Sequence, residues 1–71
     1  MSTKYIAVGR SGEVELGLFV QARVEGQDKG FGTVVKIYEG INRIAEVRME
    51  GSNETRKFNT RWLREAAIDA R

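Results

Sequence analysis

Short segments in which apolar and polar residues alternate, with turns between them, constrain this chain more than any other feature of its sequence. A period of two residues is typical of β-strands that bury one face and expose the other. The alternating or β-branched segments are residues 18–24, 32–38, 43–49 and 54–59. The turns between them are rich in Gly, Asn, Asp and Ser, which tolerate the backbone angles of tight turns. The sequence therefore predicts a mainly β chain.

A meander of four strands joined by short turns has too few residues to cover both faces of a flat sheet. Such a sheet buries its apolar residues only when it curls on itself. We therefore expect a small SH3-like (Tudor-like) bent antiparallel barrel of four to five strands. Residues 54–59 contain one strongly apolar residue, Phe58, which is expected to lie in the core and to anchor an edge strand.

The first part of the chain shows a weaker pattern. Glycines interrupt residues 1–17, which predicts a flexible leader, and within it residues 5–8 have the composition of a short strand. We expect residues 18–71 to form a single barrel domain with a helical tail.

The last part of the chain changes period. Trp62 and Ala66 have i,i+4 spacing, and so have Leu63 and Ala67, as on one face of a helix. We therefore expect a short C-terminal helix or helical turn. A short last strand around Trp62 that closes one end of the barrel is the alternative.

Composition excludes several classes of function. The chain has 71 residues and contains neither Cys nor His, which excludes disulfides and Cys/His metal sites. The commonest general base and the strongest nucleophile are therefore missing, so we expect no enzyme activity and no cofactor. A core this small gives marginal stability, which binding to a partner or forming a small homo-oligomer would increase. The sequence is compatible with a monomer or a small homo-oligomer.

Hydropathy gives no indication of a membrane protein. No apolar run reaches the roughly 18 residues that a transmembrane helix needs, and the first fifteen residues lack the apolar region of a signal peptide. A cytoplasmic location is the default expectation.

Positive charge is concentrated near the end of the chain. Twelve Lys and Arg against ten Asp and Glu give a net charge of +2, which is mild for a protein dedicated to nucleic acid. One stretch nevertheless holds four cations without an acid among them, and Trp62 lies between them. The cations are Arg56, Lys57, Arg61 and Arg64. Arg and Trp are typical of binding hot spots, and cations interleaved with aromatic rings also suit a nucleic-acid strand.

Two further places hold candidate contact residues. Phe31 lies between two glycines, where it is either a contact residue at a loop tip or a plug over one end of the barrel. Lys36, Tyr38 and Arg48 share the expected outer face of the central hairpin with Glu46. Mixed charges on that face favour a solvated sheet or a protein contact over a nucleic-acid stripe.

Four runs of residues in this chain resemble a known group of barrels. The runs are residues 30–35 (GFGTVV), 45–48 (AEVR), 56–58 (RKF) and 62–64 (WLR). They are similar to the small Tudor-like, SH3-like barrels of bacterial transcription-associated proteins. The C-terminal domain of UvrD/PcrA-type helicases and the N-terminal modules of RapA-type polymerase-recycling ATPases carry a similar G-x-G-T-V-V strand, followed by a charged hairpin.

The resemblance covers residues 17–65 and implies a binding surface, often for RNA polymerase or nucleic acid. The absence of a motor domain and the presence of leader residues depart from the pattern, which suggests a freestanding or phage-borne regulator. We therefore expect a non-enzymatic interaction module that binds the transcription machinery, with RNA polymerase as the leading candidate, and modulates transcription. Direct DNA or RNA binding by the basic C-terminal edge is the first alternative. An oligomeric small-barrel protein is the second.

Overall fold

The chain is a mainly β protein, as its alternation predicts. The computed structural model describes residues 3–11 and 13–70, which hold six strands and one turn of 3-10 helix. The elements are β1 (Thr3–Ser11), β2 (Phe19–Val24), β3 (Gln27–Tyr38), β4 (Ile44–Met49), β5 (Thr55–Asn59), the 3-10 turn η1 (Thr60–Trp62) and β6 (Leu63–Ala70).

All six strands belong to one antiparallel sheet in the order β1-β6-β2-β3-β4-β5. Strands β2 to β5 form the predicted meander of consecutive neighbours, and β5 lies at an edge of the sheet, as its weak apolar content predicts. After η1 the chain returns to β2, where Leu63 of β6 lies opposite Ala22. Strand β1 then pairs with the other side of β6.

The turn between β2 and β3 is shorter than the gap between the alternating segments 18–24 and 32–38. Glu25 and Gly26 have φ angles of 52° and 82°, as in the two-residue turns that match the twist of a hairpin. Strand β3 therefore starts at Gln27. The polar residues that follow remain extended, with a register shift at which Gly30 has a φ of 109°.

The core lies on one face of the strands. Its largest fully buried side chains are Leu63, Val14, Val20, Val34 and Val47. The alternation predicts inward positions in β2 (Val20, Ala22, Val24) and in β4 (Ala45, Val47, Met49). All of them are buried except Val24, which is partly buried against the core. Phe58 is core as expected, with 8% of its surface exposed. These residues form one cluster, which ties β6 and the segment before β2 to the meander.

Strand β3 departs from simple alternation. The alternation of residues 32–38 predicts a common face for Val35 and Ile37, but a register shift lies between Val34 and Lys36. The shift leaves Val35 39% exposed, whereas Val34 is buried and Ile37 packs against the core. An extra residue of this kind changes which side chains share a face and bends the strand.

The segment expected as a flexible leader contains strand β1. Strand β1 includes the expected short strand at residues 5–8, and its residues from Thr3 to Ala7 lie opposite β6 in regular antiparallel register. Pairing with β6 supplies backbone hydrogen bonds that the composition of the leader does not reveal.

The structure does not confirm a C-terminal helix. The helical part is limited to η1, and Leu63–Ala70 is a strand that pairs with β2 on one side and β1 on the other. A helix of this length is marginal without tertiary packing, so pairing on both sides outweighs the local preference of its alanines.

Candidate functional site

Three strands present a continuous set of polar and aromatic side chains on the side of the sheet away from the core. In β2, Val20 and Ala22 are buried, so Phe19, Gln21 and Arg23 point outward. Gln21 lies opposite Phe31 of β3 and opposite Arg64 of β6. Residues directly opposite one another in an antiparallel pair share a face. We call this side of β6, β2 and β3 the outer face.

One end of the outer face contains a small pocket with three arginines. Its volume is about 160 Å³, and its lining residues are Gln21, Arg23, Gly26, Arg61, Trp62 and Arg64. None of these described lining residues is an acid. We call it the arginine pocket.

Two contacts within the arginine pocket orient two of its three arginines. The guanidinium of Arg61 lies 5.8 Å from the centre of the Trp62 ring, and Arg23 Nε donates a hydrogen bond to the carbonyl of Gly26 at 3.2 Å. Asp28 lies opposite Arg23 in the strand register, but its carboxylate accepts the backbone N–H of Gly30 at 2.8 Å.

Local hydrogen bonds position the turn that carries Arg61 and Trp62. The side chain of Asn59 caps η1 by accepting the backbone N–H of Arg61 at 3.0 Å. Thr60 is buried, and its N–H donates to the carbonyl of Arg43 at 2.9 Å. Leu63 follows as a fully buried core residue. The turn is therefore fixed at both ends, which holds Trp62 and Arg61 at the surface.

The other end of the outer face is aromatic, and Tyr5 of β1 joins it there. The ring centres of Tyr5 and Phe19 are 5.1 Å apart, those of Tyr5 and Phe31 are 5.4 Å apart, and Phe19 stacks on Phe31 at 6.1 Å. All three side chains are partly exposed. The Tyr5 hydroxyl donates to Glu50 at 3.3 Å. Partial burial and the nearby Glu50 carboxylate both raise the pKa of Tyr5. We call these three rings the aromatic cluster.

A separate group of charges occupies the exposed face of β3, β4 and β5. Glu46 lies opposite Lys36 on one side and Lys57 on the other. The Tyr38 hydroxyl donates to Glu46 at 2.8 Å, and the two lysine ammonium groups lie 4.9 and 5.0 Å from the Tyr38 ring. The hydrogen bond from Tyr38 is the main cause that lowers the pKa of Glu46, and the same bond raises the pKa of Tyr38. We call this group the tyrosine network.

The four cations predicted between Arg56 and Arg64 lie at separate places on the surface. Arg61, Trp62 and Arg64 line one pocket, whereas Lys57 belongs to the tyrosine network. Arg56 lies opposite the core residue Val47, and its guanidinium is 5.8 Å from the ring of Phe58. Neighbours in a strand point to opposite faces, which is why Arg56 and Lys57 do not act as a pair.

The remaining predicted contact residues lie on β3 and β4. Phe31 lies within β3, in the aromatic cluster, and not at a loop tip. Lys36 and Tyr38 belong to the tyrosine network, and Arg48 is exposed on β4, opposite Thr33 and Thr55.

Sequence reasoning did not select Arg23, Gln21, Phe19 or Tyr5 as site residues. The alternation of residues 18–24 already places Gln21 and Arg23 on the polar side of a strand. Their approach to Arg64 depends on the pairing of β2 with β6, which is a contact between residues far apart in the sequence.

A larger hollow of about 450 Å³ lies elsewhere, lined by Glu13, Val14, Glu15, Leu18, Arg43 and Glu65. Within the part of the chain that the structure describes, no three side chains are grouped so that they could hold a metal ion. No helix in the described ranges is long and apolar enough to cross a membrane.

No protein-family model, no curated protein and no solved structure matches this chain. The functional proposal therefore rests on the connectivity of the sheet and on the side chains of the outer face.

Proposed function

We propose that this chain is a non-enzymatic interaction module of SH3-like barrel type that binds a protein of the transcription machinery and modulates transcription. RNA polymerase is the leading candidate for that partner. The observation that carries the proposal is the outer face, on which the aromatic cluster and the arginine pocket are joined by Gln21.

Connectivity supports the barrel assignment. Strands β2 to β5 form a meander, η1 follows, and β6 returns to pair with β2, the first strand of the meander. The register shifts in β3 provide bends of the kind that allow a small sheet to curl. A single core cluster contains residues of β2, β3, β4, β5 and β6.

The composition of the outer face supports a protein partner. Arg, Trp and Tyr are the residues most enriched in binding hot spots, and Phe is enriched in interfaces generally. Here the three rings of the aromatic cluster contact one another and Arg61 contacts the Trp62 ring, so these side chains would lose little freedom on binding. The choice of RNA polymerase rests on the resemblance of the strand and hairpin sequences to transcription-associated barrels.

Direct binding of DNA or RNA is the second candidate, and the lining of the arginine pocket favours it. Three arginines without a lining acid would suit a phosphate, and Trp62 would offer a ring on which a base can stack. A nucleic-acid strand needs a longer track of cations, however, and Arg56 and Lys57 do not extend this pocket. The outer face also holds Glu50 beside Tyr5, where a phosphate would be repelled.

The test is capture from a bacterial lysate treated with nuclease, with bound proteins identified by mass spectrometry. We expect the intact chain to retain RNA polymerase subunits, and Arg64→Glu to lose them. Lys29→Glu makes the same charge change at an exposed lysine outside the arginine pocket, which contacts Gln27, and should retain them. Loss of all capture after nuclease treatment, with nucleic acid recovered from the untreated lysate, would contradict the proposal.

A further inference from the structure

We infer that the outer face recognises an extended acidic peptide in which a large apolar residue and a carboxylate lie four residues apart. This inference rests on the proposed function as a protein-binding module. It names the chemistry of the segment that the partner must present.

The arginine pocket is the expected binding site for the carboxylate of the peptide. Arg23, Arg61 and Arg64 all line a pocket of about 160 Å³, which is small enough to suit one side chain and too small for a folded element. Guanidinium and carboxylate groups form paired hydrogen bonds of matching geometry. Asp28 lies opposite Arg23 in the strand register, but it accepts the backbone N–H of Gly30 and does not line the pocket.

The aromatic cluster is the expected binding site for the large apolar residue of the peptide. Phe19 and Phe31 stack on each other and are partly exposed, which leaves apolar surface at the protein boundary. An aliphatic or aromatic side chain of a partner would bury that surface. A second carboxylate at this end would be repelled by Glu50, which the Tyr5 hydroxyl holds beside the rings.

The geometry of β2 sets the spacing. Phe19 and Arg23 are four residues apart on the same strand and on the same face, a span of roughly 13 Å at about 3.3 Å per residue. In an extended peptide, residues four apart also point to one side, whereas residues three apart point to opposite sides. Gln21 lies midway, and its amide can both donate to and accept from a peptide backbone.

These observations favour a peptide over a nucleic-acid strand. A strand of DNA or RNA carries a negative charge at every nucleotide, including those that would lie next to Glu50. A peptide can place one charge in the arginine pocket and none at the aromatic cluster.

The test uses Trp62, the only tryptophan in the sequence, as a fluorescent reporter inside the arginine pocket. The probes are two capped peptides of identical composition, with serine and threonine around one leucine and one glutamate. In the first peptide the leucine precedes the glutamate by four residues, and in the second by three. A third probe is an oligothymidylate.

We expect the intact chain to bind the four-residue peptide at least about fivefold more tightly than its isomer, the ratio that one lost contact of about 1 kcal/mol produces. Arg64→Glu should abolish the response, and Lys29→Glu should keep it. Equal affinity for the two isomers, tighter binding of the oligothymidylate, or no response to either peptide up to roughly 1 mM would each overturn the inference.

The two proposals fail in distinguishable ways. If the lysate experiment retains RNA polymerase while the isomers bind equally, the spacing rule is wrong and the proposed function stands. If the isomers differ as expected and no polymerase is retained, the outer face binds peptides and the partner is a different protein.

Discussion

The lack of a side chain at Gly32 allows β3 and β4 to approach closely. A Cβ added there would lie 2.7 Å from Val47 Cγ1 and 2.9 Å from the carbonyl carbon of Arg48. We predict that Gly32→Ala lowers the free energy of unfolding by about 1–3 kcal/mol, because backbone atoms must move.

Urea unfolding measures this change. Gly40→Ala is the matched control, since a Cβ there meets no atom closer than 3.9 Å, and its stability should stay within about 0.5 kcal/mol of the original. Equal stabilities for the two variants would show that β3 and β4 are not packed as described.

The Tyr38–Glu46 hydrogen bond makes stability depend on pH at both ends of the scale. The pKa of Glu46 is lowered from 4.5, so its contribution is present above pH 4.5 and is lost as pH falls through the lowered pKa. The pKa of Tyr38 is raised from 10.0, so its contribution is present below pH 10.0 and is lost as pH rises through the raised pKa.

We therefore predict that Glu46→Gln unfolds at a lower temperature than the original chain at pH 7, and that the difference narrows as pH falls below 4.5. Thermal melts followed by circular dichroism at several pH values measure this trend. Glu54→Gln, at an exposed position before β5, is the control and should follow the pH profile of the original chain. A constant difference at all pH values would contradict the assignment.

At the scale of elements, residues 63–70 form strand β6, whereas their alanines favour a helix, and a substitution can distinguish the two. Ile68 lies on β6 opposite Tyr5, and 59% of its surface is exposed. A strand prefers Thr to Ala at such a position, whereas a helix prefers Ala by about 0.5 kcal/mol. We predict that Ile68→Thr is at least as stable as Ile68→Ala, as measured by urea unfolding. The opposite order would indicate a helix.

The accuracy of prediction varies between elements for identifiable physical reasons. Strands β2 and β4 alternate regularly and bury the predicted faces, so their side-chain directions follow from the sequence alone. The bulged part of β3 and the pairing of β6 depend on distant strands, which local patterns do not record.

The same distinction applies to the candidate site. Arg61, Trp62 and Arg64 are close in the sequence and were predicted together. Arg23 joins them only through the pairing of β2 with β6, so it was missed. The alternation of β5 was itself sufficient to place Arg56 and Lys57 on opposite faces.

Across the whole molecule, positive and negative side chains are concentrated on different surfaces. The arginine pocket is cationic, the larger hollow contains Glu13, Glu15 and Glu65, and the tyrosine network pairs its lysines with Glu46. A net charge of +2 therefore conceals surfaces of opposite sign. Such an arrangement favours one orientation of a charged partner, since the wrong face would be repelled.

The most direct test of the account is chemical footprinting of arginine side chains in the complex with purified RNA polymerase. Phenylglyoxal modifies exposed guanidinium groups, and mass spectrometry quantifies the modification at each position. We predict that bound polymerase protects Arg23, Arg61 and Arg64, while Arg43 and Arg56 react as in the free chain. Protection of Arg56 with the arginine pocket still reactive, or no protection at any of these positions, would contradict the claim that the outer face binds the polymerase.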